Sequence, residues 1–138
     1  MSEVIEHKQK NWVRARAECT IEFWFDELVK TVQSDVKKFN NLPEEARNNL
    51  GLFRCELKNN SELIVSEIEE DWREPLESIN IKKSEHEIYV FKGEKTLLKV
   101  ELQWNPKTLT CDLIVDQNTQ PIWLVSQLAI GDLLFGRR

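Results

Sequence analysis

Three residues of the chain have side chains suited to nucleophilic chemistry and fall where strands are expected: Cys55, Cys111 and His86. A thiolate beside an imidazole makes a nucleophile, and Glu85 or Glu87 could orient the ring. Their positions argue otherwise. Cys55 and Cys111 lie on the apolar side of their alternating patterns, where cysteine acts as a small hydrophobe. His86 sits among polar residues at a strand start, the usual place for an exposed histidine. The reading is core packing, and no catalytic set is assigned.

Metal and cofactor chemistry find no motif either. The glycines at 51, 93, 131 and 136 never cluster into a phosphate-binding loop. Asp-rich calcium loops and paired Cys-x-x-Cys ligands are absent, and His7 and His86 are the only histidines. No cofactor and no metal is expected. Glu69, Glu70, Asp71, Trp72 and Glu74 form an acidic connection that could dock a basic partner, although charge runs of this kind are usually solvated. Asp132, within an otherwise apolar segment, reads as a carboxylate near a helix end.

Charge excludes one class of partner. Acidic residues outnumber basic ones 24 to 19, for a formal charge of -5. Proteins that grip phosphate backbones cluster Lys and Arg, and here the basic residues are scattered, apart from Lys8, Lys10, Arg14 and Arg16. Nucleic acid is not expected as a partner. A membrane is not expected either, because the longest apolar stretch, 122–135, is interrupted by Ser126, Gln127 and Asp132. That stretch is also shorter than the ~20 residues a span requires. Three cysteines at wide spacing make no disulfide framework and fit a reducing compartment. With no secretory pattern at the start, the expected location is cytoplasmic.

The elements that position these residues can be read from periodicity. Residues 11–39 read as one long helix: Ile21, Phe25, Leu28, Val32, Val36 and Phe39 step by four and three along one face. Pro43 is placed to open a short second helix, 44–50. The period then changes to two. Phe53, Cys55 and Leu57 alternate with polar residues, 63–68 returns, and further strands follow at 78–82 and 86–92. Leu98 to Trp104 and Leu109 to Val115 form another pair across Asn105-Pro106-Lys107, and 118–121 is expected to break the sheet. A closing helix, 122–135, ends at Gly136.

The expectation is a single α+β domain over 1–138, with 1–10 a flexible tail. An antiparallel sheet of five to six strands is covered on one face by the long first helix, and the C-terminal helix closes the domain. Tryptophans 24, 104 and 123 could line a small-molecule cavity between first helix and sheet, but at helical and strand spacing they read as core.

One oddity remains. Trp12, Cys19 and Phe23 are spaced by seven and four, so they share a second apolar face about half a turn from the Ile21 stripe. The closing helix is apolar all round, with Trp123, Leu124, Leu128, Ile130, Leu133, Leu134 and Phe135 surrounding it on all sides. Such surplus is covered within the chain, by a second copy, or by a partner. The expected function is therefore a non-enzymatic protein-binding domain, dimeric or joined to a protein partner, acting through Trp12, Cys19, Phe23, Trp123, Ile130 and Leu134. The alternative is a small-molecule or enzymatic pocket under the first helix.

Overall fold

The computed structural model describes residues 11–47, 51–68 and 78–136. Residues 11–17 are helical (α1), followed by α2 (Ile21–Asn40). Seven strands come next: β1 (Phe53–Lys58), β2 (Glu62–Glu67), β3 (Ser78–Lys83), β4 (Glu87–Lys92), β5 (Lys95–Asn105), β6 (Thr110–Val115) and β7 (Asn118–Thr119). The last element is α3 (Ile122–Phe135).

The strands form one antiparallel sheet in chain order, β1 to β7. Register follows the side-chain pattern, because a slip of one residue would turn every apolar side chain to the wrong face. Leu57, Leu63, Ile81, Val90 and Leu98 line up across five strands on the helix-facing side. The matching row on the opposite face is Lys58, Glu62, Lys82, Tyr89 and Lys99, mostly of alternating charge. There Lys99 pairs with Glu101 at 3.2 Å and Glu87 at 3.9 Å. The Glu101 carboxylate, accepting its hydrogen bond, raises the pKa of Lys99.

The expected stripe on the first helix packs onto this sheet. Ile21, Phe25, Leu28, Val32, Val36 and Phe39 are all buried, against Phe53, Val65, Ile81, Ile88, Val90 and Val100. α3 lies beside α2 on the same sheet face, burying Val125, Ala129, Ile130, Leu133 and Leu134 in the common core. The two helices run in the same sense. Ile122 and Trp123 stand near Trp24 and Thr31, while Phe135 meets Phe39 edge-on at 5.2 Å.

Four local expectations are corrected. The helix expected over 11–39 is broken at Glu18-Cys19-Thr20, and the Thr20 hydroxyl caps a new helix by accepting the Phe23 N–H. The described part of the expected helix 44–50, residues 44–47, is turn. The sheet has seven strands, since Asn118 and Thr119 pair with Val115 and Ile114 where a break was expected. Asp116 and Gln117 make this possible by both adopting positive φ, the tight hairpin conformation that matches strand twist. Finally, Cys19 and Cys111 are joined in a disulfide across 92 residues, where no cross-link was expected. Backbone geometry brings their Cα atoms to 5.3 Å, a proximity that spacing in the chain does not reveal.

Candidate functional site

A groove runs between α2 and α3. Along α2 it is walled by Trp24, Glu27, Lys30, Thr31, Ser34, Asp35 and Lys38, and at its start by Ile122 and Trp123 of α3. Farther along it becomes an apolar slot of about 260 Å³ between Phe39, Leu42, Ile130, Leu134 and Phe135. Asp35 and Lys38 belong to both parts. Gly131 faces the slot and leaves it open: a Cβ there would approach only Gln127, at 3.7 Å.

The floor of the seam is tied together by a buried hydroxyl. Ser126, fully buried, donates to the Asp35 carboxylate at 2.7 Å. Burial of a serine side chain costs free energy unless it is hydrogen-bonded, so this contact fixes the rotation of α3 against α2. Nearby, the indole N–H of Trp24 is buried with no protein acceptor.

That rotation decides what α3 shows to water. Trp123 is 61% exposed, and Leu128 and Phe135 are each 45% exposed. Gln127 and Asp132 are the exposed polar residues of the helix. A helix apolar on every side has buried one arc and presents the other.

The six residues of the expected interface separate into three groups. Trp12 and Trp123 are exposed, at opposite ends of the helical layer's sequence. Phe23 is half-buried against Trp24, ring centroids 5.3 Å apart, and Cys19 is in the disulfide. Ile130 and Leu134 are buried, at 1% and 4% exposure; the exposed apolar residues of α3 are Trp123, at its start beside α2, and Leu128 and Phe135 on its outward side. Leu128 and Phe135 are the residues sequence reading did not assign to a surface. An all-apolar helix carries no sequence mark of its buried arc, so neither could be told from Ile130 or Leu134 before the burial of Val125 and Ala129 was known.

The cysteine–histidine constellation does not assemble. Cys55 is on β1 and Cys111 on β6, separated by four intervening strands, and the His86 side chain is 81% exposed. Burial raises the Cys55 thiol from about 9.0 to about 11, so it is a protonated core side chain at neutral pH. Trp24 and Trp123 both line the α2–α3 groove, whereas Trp104 lies on β5 under the Arg16 guanidinium, so the three tryptophans share no cavity. Glu69, Glu70, Asp71, Trp72 and Glu74 lie outside the described residues.

Among the described residues, no group of three His, Cys, Asp or Glu side chains could hold a metal ion, and no helix is long and apolar enough to cross a membrane. Compared with known proteins, the chain matches no family model, no curated protein and no solved structure.

Proposed function

We propose that this chain is a non-enzymatic protein-binding domain whose docking surface is the exposed apolar surface of α3, and that its partner there is a second copy of the chain. The observation that carries the reading is the exposure of Trp123, Leu128 and Phe135 on one helix whose inner arc is fully used. By the usual size of such side chains they leave roughly 300 Å² of mostly apolar surface in water. That is a fitting core for an interface of about 800 Å² per partner, with a polar rim around it.

Symmetry favours a second copy over a foreign chain. A chain of net charge -5 repels its own copies over most of its surface. The α3 sector escapes this, because Asp132 is its one charged residue. An isologous contact also needs a patch that complements itself. Leu128 and Phe135 lie seven residues apart on one side of α3, so antiparallel apposition of two copies sets Leu128 of one over Phe135 of the other.

A second reading has one observation behind it. The acceptor-free indole N–H of Trp24, beside the groove, would suit a small ligand carrying an acceptor. For location, the Cys19–Cys111 bond supports an oxidising compartment over the cytoplasm that the cysteine count alone favours.

Solution mass by light scattering over a dilution series tests the leading reading. The expected result is twice 16.3 kDa for the chain and 16.3 kDa for a folded Trp123→Arg variant. A monomer at every concentration would remove the self-association reading and move attention to the groove.

A further inference from the structure

The α1 segment is fastened to the rest of the molecule at one corner. Within residues 11–17 only Ala15 is half-buried; Asn11, Trp12, Val13, Arg14, Arg16 and Ala17 are exposed. Two specific attachments follow. Cys19, just past the helix, is bonded to Cys111 on β6, and the Arg16 guanidinium lies over the Trp104 ring, 5.2 Å from its centroid. Both land on the same place, because Trp104 and Cys111 are cross-strand partners in the β5–β6 ladder. A helix of two turns does not hold itself in water, since nucleation costs more than so few hydrogen bonds return. Its form therefore depends on that corner.

The next helix does not share the dependence. α2 begins with its own cap at Thr20, and its buried stripe from Ile21 onward packs on the sheet independently of α1. The helix break at Glu18-Cys19-Thr20 thus separates a segment held at the Trp104–Cys111 corner from a segment held by the core.

We infer that the Cys19–Cys111 bond is a reversible redox clamp: closed, it holds residues 11–18 over Trp104, and opened by a dithiol reductant it releases them while α2, α3 and the sheet stay folded. In the opening step a thiolate of the dithiol attacks one sulfur of the pair, and a mixed disulfide forms as the Cys19–Cys111 bond breaks. The second thiol of the reductant then displaces the remaining cysteine. Two electrons and two protons pass to Cys19 and Cys111, which end as thiols, and the reductant ends as a disulfide. Cys55 cannot serve as an alternative partner, because β1 is separated from β6 by four strands. What opening uncovers is the Trp104 ring, over which the closed clamp holds the Arg16 guanidinium.

Hydrogen exchange on the full chain, read by mass spectrometry, tests the clamp. It compares the oxidised chain, the chain in dithiothreitol, and the Cys19→Ser/Cys111→Ser double variant. Temperatures are kept well below the melting transition, because loss of the cross-link also lowers global stability through the unfolded state. The expected result is one titratable thiol in the oxidised, denatured chain. Amide exchange across residues 12–18 should rise at least about tenfold on reduction and in the double variant, with α2 and β2–β5 unchanged. Reoxidation with glutathione disulfide should restore protection. Three free thiols, unchanged exchange across 12–18, acceleration spread over the whole chain, or failure to re-form the bond would each overturn the proposal.

Discussion

The Ser126 hydroxyl and the Asp35 carboxylate, 91 residues apart in sequence, share a 2.7 Å hydrogen bond that locks the two helices of the layer to each other. Neither residue has a helical-face reason to be where it is. Asp35 interrupts the inner side of α2 beside Val32 and Val36, and Ser126 is the one polar residue within the buried arc of α3. The pair specifies which side of an all-apolar helix turns inward, and so which side faces water.

Removing the donor should therefore cost more than an ordinary surface change. Ser126→Ala strips a half-buried carboxylate of its hydrogen bond, with an expected loss of about 1.5–3 kcal/mol, the range for bonds to charged groups. Denaturant midpoints of Ser126→Ala, Asp35→Ala and the double variant would give the coupling. A double variant no less stable than either single one is the expected outcome; additive losses would mean the contact does not matter.

Asn40 joins the end of α2 to the start of the sheet in a different way. Its amide donates to the Phe53 carbonyl at 2.8 Å and accepts from the Phe53 N–H at 3.0 Å, standing in for a missing neighbour strand. Asn40→Ala leaves both backbone groups without that partner, and a loss of about 1–3 kcal/mol is expected. Asn40→Asp keeps the acceptor alone and should fall between wild type and Asn40→Ala in thermal unfolding.

Two substitutions separate core from surface. Phe25, completely buried under the sheet-facing stripe, should cost about 3–5 kcal/mol as Phe25→Ala because it leaves a cavity among close-packed neighbours. Trp123→Arg, at the exposed start of α3, should change the stability of the monomer by no more than about 0.5 kcal/mol. Urea unfolding at low protein concentration checks both. A large loss for Trp123→Arg would mean that this side chain belongs to the monomer's packing.

Cys55 sets an alkaline limit. Burial raises its thiol to about 11, above the ordinary 9.0, so the folded chain holds a proton that the unfolded chain loses first. The sign follows directly: this contribution is complete below pH 9.0 and fades as pH rises through about 11. Cys55→Ala should flatten the fall in stability over that window. Iodoacetamide should modify Cys55 in the native chain far more slowly than in the unfolded one at pH 8.

Much of the fold was legible because its causes are local. The four-and-three stepping of Ile21 to Phe39 and the alternation of Leu98 to Trp104 each name a buried face without reference to any other part of the chain. The break before α2 was not legible, because Glu18-Cys19-Thr20 contains neither glycine nor proline; its one cue was a capping threonine. β7 was missed for a similar reason, since Asp116-Gln117 forms its tight turn without the glycine that usually announces one.

By itself, then, the sequence determined the class of fold, the faces of its helices and strands, and the absence of any motif for phosphate, calcium or zinc. Only the tertiary structure decided which sulfurs meet, which arc of α3 is spent against α2, and that Ile130 and Leu134 are core while Leu128 and Phe135 face water. The physical reason is that periodicity reports how a segment meets its nearest surroundings. A disulfide between residues 19 and 111, or the rotation set by Ser126 on Asp35, depends on distances that exist only once the sheet has brought distant segments together.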